Sequence, residues 1–180
     1  MSQASKHIDW CLKKAEKEIE ECKGLGKKPK HRGLLKIKSD NDGAKEHIKK
    51  AEHNLKVSEY LMKGDFTDIS ITTVFYSMYH CFLAIAAKFG YESGNQTCTI
   101  ALIEYLKEKN KIDIDSKFID MFKYEETKEA DTSEETKESV IEMGEDLTYG
   151  TDITFDKKKI NELMENCKEQ IDLTKSIVHE

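Results

Sequence analysis

From Ile69 to Ala87 the chain carries no Asp, Glu, Lys or Arg, although charged residues make up 36% of the whole. A segment this long and apolar must be surrounded by other elements. It is too long for a strand and contains no Gly or Pro. The stretch Asp65 to Phe89 therefore reads as one helix of about 24 residues, roughly 36 Å at 1.5 Å per residue. Asp65, with Asp68 three residues on, suits an N-cap with an acidic first turn, and Gly90 suits a C′ stop. Ser70, Thr72, Thr73, Tyr76, Ser77, Tyr79 and His80 dilute the run below the hydrophobicity of a membrane span. The segment is a central core helix, or one that packs on its own chain and also across a dimer interface.

The composition of the 180-residue chain suits helices on either side of it. One Pro and nine Gly, with abundant Lys, Glu, Leu and Ile, point to long helices joined by short turns in one domain. The first helix covers residues 3–22, with Ile8, Leu12, Ala15 and Ile19 as its stripe and Trp10 and Cys11 at its flanks. A second, Ala44 to Lys63, repeats Ile48, Ala51, Leu55, Ser58 and Met62. It leads with almost no loop into the central helix, so the two form an antiparallel hairpin. Further helices are expected from Thr97 or Thr99 to about Lys109, around Phe118, Met121 and Phe122, from a capping box at Thr132 and Glu135 to about Tyr149, and from Asp156 to about Val178. No strand signal outlives these assignments. The chain divides into an N-terminal helix with a basic linker, 1–38, and a helical bundle, 44–178.

Charge is unevenly spread. Residues 23–38 hold seven Lys or Arg and no acid. Removing those seven charges from the net −6 leaves −13 on the rest of the chain. Two readings stay open for this stretch. Lys27, Lys28, Lys30 and Arg32 form an arm for RNA or phosphates, or the stretch is a solvated linker. The segment Glu125 to Asp146 is strongly acidic. Five cysteines, at 11, 22, 81, 98 and 167, make no CxxC pair; their odd number and the lack of a signal peptide suggest free thiols and a reducing cytoplasm.

Few residues point to chemistry. A di-iron bundle needs Glu-x-x-His, but Ala44, Lys50 and Ser77 stand three residues before His47, His53 and His80, so no metal and no cofactor is expected. Tyr76, Tyr79 and His80, at i, i+3 and i+4, place polar tips on the most apolar helix. They are core or dimer-seam residues, or with Tyr149 they line a cleft for a ligand or partner.

Ala51-x-x-x-Leu55, Leu61, Gly64-Asp65-Phe66 and Phe75-Tyr76-Ser77-Met78-Tyr79-His80-Cys81 together resemble the HEPN domain (higher eukaryotes and prokaryotes nucleotide-binding). Gly90-Tyr91-Glu92-Ser93, Gln96-Thr97-Cys98-Thr99 and Tyr149-Gly150 continue the likeness over roughly 44–178, most closely to an uncharacterised, mainly archaeal branch. The resemblance implies an all-α, up-and-down antiparallel bundle, here with an extra N-terminal helix, that forms a homodimer. It also implies RNA-related chemistry, and in some members pairing with a small nucleotidyltransferase as a toxin–antitoxin couple. The family's ribonuclease signature is an Arg followed about four to six residues later by His. Arg stabilises charge on the phosphate and His moves protons. Aligned on Tyr149-Gly150, those positions fall at Gly144 and Tyr149, which supply neither a cation nor a group titrating near neutrality.

The expectation is a cytoplasmic, dimeric, non-catalytic HEPN-like module. It acts as a protein partner or a nucleotide- or RNA-binding component, with a small nucleotidyltransferase in a toxin–antitoxin or defence setting and no membrane. The alternative is a metal-independent endoribonuclease with a non-standard site, such as His80 with lysines. RNA cleavage in the presence of chelator should stay at background for the wild type. Gly144→Arg with Tyr149→His should restore some of it, since losing such a donor and acid/base pair costs about 100- to 10,000-fold for each group. Cleavage by the wild type that His80→Ala abolishes would establish the alternative.

Overall fold

The computed structural model describes residues 2–123 and 153–179. In chain order the elements are α1 (Gln3–Gly24), β1 (Leu34–Lys36), α2 (Asn41–Lys63), α3 (Thr67–Lys88), β2 (Tyr91–Ser93), α4 (Gln96–Glu108), α5 (Ser116–Asp120) and α6 (Lys157–His179). The fold is an all-α bundle with one small sheet among the described residues. The expected helix opening at Thr132, the acidic segment, Gly144 and Tyr149 lie outside the described residues.

The hairpin of α2 and α3 is assembled on small side chains. Ala44, Ala51 and Ser58 recur every seven residues on α2, and Ser70, Ser77 and Ala84 on α3; all six are fully buried. They meet in antiparallel order. Ala44 clusters with Ala84, Ser77 Oγ donates to the Ala51 carbonyl at 2.6 Å, and Ser58 Oγ lies 2.7 Å from Ser70 Oγ. Small residues at a helix contact draw the axes toward the short end of the usual range of about 8–10 Å. The hydroxyls find backbone or side-chain partners, so their burial leaves no orphaned group there.

α6 closes the other side of the hairpin through Ile160, Leu163, Met164, Cys167 and Ile171, which recur at helical spacing along it. Cys167 Sγ donates to Ser77 Oγ at 3.1 Å, so Ser77 joins α2, α3 and α6. The third side is filled by α4 and α5, with Phe122 packed edge-on against Phe82 at 5.1 Å and tilted against Phe75 at 5.2 Å. By length and composition α3 could cross a membrane, but 56% of its apolar window is buried inside the chain, as suits a core helix.

Several boundaries differ from the expectations. Asp65 does not cap α3. It sits in the left-handed region at φ 64° within the turn after α2, its carboxylate pairs with Lys157, and Phe66 stands at the N-cap without a side-chain bond. Gly90 does end the helix, at φ 76°, where only glycine is unstrained. Asn95, not Thr97 or Thr99, caps α4, accepting from the Cys98 N–H at 2.8 Å.

The basic stretch is also not wholly loop. β1 pairs antiparallel with β2, Leu34 opposite Ser93 and Lys36 opposite Tyr91. Strands of three residues are too short to leave a periodic signal. Gly33 lets the chain approach α1, since a Cβ there would lie 2.2 Å from the Cys11 carbonyl oxygen. Beside this contact Cys11 and Cys98 form a disulfide, with Cα atoms 5.8 Å apart, between α1 and α4. The expectation of free thiols fails for these two. They are 87 residues apart in sequence, and only the packing of α1 on α4 brings them together. Cys22, Cys81 and Cys167 remain free.

The seam sets a specific stability test. Ala51→Leu should cost about 1–3 kcal/mol or more, because no space receives the added atoms, and Leu163→Ala about 2–5 kcal/mol. Urea denaturation of both, beside an exposed control such as Lys56→Leu expected within about 0.5 kcal/mol, checks this; a neutral Ala51→Leu would show that the seam is open.

Candidate functional site

The hairpin register places His47 of α2 opposite His80 of α3. Their Nδ1 atoms lie 3.0 Å apart and their rings 5.2 Å apart, half-buried. A hydrogen bond between two Nδ1 atoms needs one ring to donate and the other to accept, so at least one ring carries its proton on Nδ1. Burial, then the neighbouring His47 and Lys50, pull the His80 pKa down to about 4. Burial also lowers that of His47, with Asp40 opposing. The pair is therefore neutral at pH 7. It holds two aligned imidazoles but little imidazolium to act as a general acid. The sequence spacing of these two histidines carries no signal; the hairpin register does, because residues facing each other across the short turn rise on one helix as they fall on the other.

The tips of Tyr76, Tyr79 and His80 do not enter one network. Thr99 Oγ1 donates to the Asn95 carbonyl at 2.8 Å and bonds the Tyr79 hydroxyl at 2.9 Å, tying α3 to α4. Burial raises the Tyr79 pKa. Tyr76 is 51% exposed, and His80 turns to α2. The fourth residue of the expected cleft, Tyr149, lies outside the described residues.

Buried thiols offer no nucleophile. Burial, then the adjacent Cys167, push the Cys81 thiol far up, and burial pushes that of Cys167 up to about 11. No group of three or more His, Cys, Asp or Glu that could hold a metal ion occurs among the described residues. The groove between α2 and α6 is crossed by ion pairs, Lys175 to Glu52 at 2.8 Å and Lys168 to Glu59 at 3.7 Å, which consume its charge.

The arm is different. Lys23, Lys27, Lys28, Lys30, Arg32, Lys36 and Lys38 are all exposed, and among the described residues none has an acidic side-chain partner within ion-pair distance. The backbone that carries them is nevertheless held. The Arg32 N–H donates to Glu18 of α1, His31 Nε2 lies 3.2 Å from Glu92 Oε1, and the Gly94 N–H donates to the Gly33 carbonyl at 2.8 Å. Cations on a positioned backbone lose less freedom on meeting phosphates than cations on a loose tail.

The HEPN domain model matches residues 44–177. No curated protein and no solved structure gives a significant match.

The imidazole pair has a pH signature. Between pH 6.5 and about 4 the unfolded chain binds protons that folded His80 does not, so stability falls as pH drops through that window. The stability difference between wild type and His80→Asn, measured at pH 7, 5.5 and 4.5, should therefore change with pH, and the His80 ring should titrate near pH 4 by NMR; a ring titrating at 6.5 would remove the pair.

Proposed function

The chain belongs to the HEPN domain family, and from that premise we propose that it is a non-catalytic binding module whose basic arm engages RNA. The family match supports a nucleotide- or RNA-related helical module. The observation that carries the finer reading is the arm: seven exposed cations, unpaired among the described residues, on a backbone anchored to α1 and β2. Counterion release from phosphates drives such binding and needs no base contacts.

Catalysis is not part of the proposal. The aligned nuclease positions are Gly144 and Tyr149, the degenerate form of the Arg…His motif, and the His47–His80 pair is neutral at pH 7. The module acts as a homodimer and serves a small nucleotidyltransferase in a toxin–antitoxin or defence system. Support for the dimer comes from α3, where Ile69 and Tyr76, two turns apart on one face, stay 49% and 51% exposed beside half-buried His80.

RNA affinity should fall steeply with salt, log–log slope about −0.7 per phosphate neutralised for a single strand. Alanine at Lys27, Lys28, Lys30 and Arg32 together should abolish binding at physiological salt without altering the helical circular dichroism. Unchanged affinity in that variant would return the arm to the role of a linker. Light scattering should report a dimer at micromolar concentration; a monomer would refute the assembly.

A further inference from the structure

α1 gathers basic side chains around a single exposed aromatic. Trp10 is 53% exposed. Its neighbours on the helix surface, at i−4, i−3, i+3, i+4 and i+7, are Lys6, His7, Lys13, Lys14 and Lys17. Asp9, Glu16 and Glu20 run along one flank of these lysines, and Glu18 and Glu21 follow on the Trp10 side. Lys14 Nζ sits 4.9 Å from the centre of the Trp10 ring and His7 is tilted against it at 5.9 Å. Of the four lysines, only Lys17 has an ion-pair partner among the described residues, Glu21 at 3.8 Å.

This face leads to the arm. Trp10, Lys14 and Glu18 lie at i, i+4 and i+8 on one row, and Glu18 accepts from the Arg32 N–H. The arm thus returns along α1, with the Arg32 backbone held by the Glu18 side chain. Gly33, packed on the Cys11 carbonyl and Ala15, holds that path. A large exposed indole flanked by cations, joined through Glu18 to a further cationic segment, is an arrangement that suits single strands: bases stack on the aromatic and phosphates meet the lysines.

We propose that the Trp10 face of α1, continuous with the arm, is a platform for single-stranded nucleic acid on which Trp10 stacks a base. The proposal rests on the arm's reading as an RNA-binding element and adds where the strand goes and which residue holds a base. An anionic membrane fits less well, because a surface-lying helix needs a broad apolar face and every near neighbour of Trp10 here is polar. Duplex RNA fits less well too, since its bases are already stacked on each other.

Trp10 is the only tryptophan, so its emission reports the platform directly in the full chain. Titration with oligouridylate and oligothymidylate should quench it saturably, and less so as salt rises; both probes are used because stacking tolerates either sugar. Measured with a labelled oligonucleotide, Trp10→Ala should weaken binding about 5- to 150-fold, and Trp10→Phe should retain most of it. Lys13→Ala with Lys14→Ala should lower the salt slope by about 0.7 for each phosphate no longer neutralised. Circular dichroism checks that each variant folds. Binding that depends on the arm cations but leaves Trp10 emission and Trp10→Ala affinity unchanged overturns the platform while sparing the arm. Absence of oligonucleotide binding overturns both, and a Trp10 response to phosphatidylserine vesicles but not to oligonucleotides overturns the platform in favour of a membrane surface.

Discussion

The buried contact at Ser77 is the one the bundle depends on. Its hydroxyl donates to the Ala51 carbonyl of α2 and receives the Cys167 thiol of α6, so one small side chain fixes the separation of three helices. The row of Ala and Ser above and below it lets α2 and α3 approach closely along their whole length. Close packing of that kind is unforgiving, because a core at crystal-like density has no room for added volume. It also fixes the hairpin register, and the register alone sets His47 against His80.

A second set of constraints lies outside that seam. The Cys11–Cys98 disulfide, the β1–β2 pair and the close pass of Gly33 over α1 fasten the N-terminal part of the chain to α4 and to the end of α3. Their common effect is to present a basic segment on a defined backbone rather than as a free tail. A crosslink between residues so far apart in sequence removes much of the freedom of the unfolded chain, about 4–5 kcal/mol on a loop-entropy account. The cost of holding exposed cations near one another is small beside that, since water and salt screen them.

The interior and the surface divide the chemistry between them. Inside, several polar groups pair with one another, Ser58 with Ser70, Tyr79 with Thr99 and His47 with His80, while Gln170 Oε1 and Thr174 Oγ1 are buried without a partner among the described residues. Burial shifts the ionisable ones toward their neutral forms, which suits a scaffold better than a proton-transfer site. Outside, the seven arm cations, without ion-pair partners among the described residues, lie close together in sequence, where electrostatic attraction acts with little structural consequence for the bundle.

The helical class, the hairpin and the core stripes of α2, α3 and α6 are legible in the amino-acid pattern alone. The Ile69–Ala87 run and the 3–4 spacing of Ile160, Leu163, Met164, Cys167 and Ile171 are local signals, repeated over several turns, that burial then obeys. The basic arm was equally legible, because a cluster of like charges needs no fold to be seen. Its anchoring was not. β1 and β2 are three residues each and pair across more than fifty residues, Cys11 meets Cys98 only when α1 lies on α4, and a left-handed turn removes Asp65 from the cap. Tyr76, Tyr79 and His80 could be placed on one helix, but Tyr79 turns to α4, His80 to α2 and Tyr76 stays exposed, since helical spacing fixes the direction of a side chain and not what it meets. Periodicity reports what a residue does within its own element; partners that come from other elements are decided by packing, and only the tertiary structure holds that information.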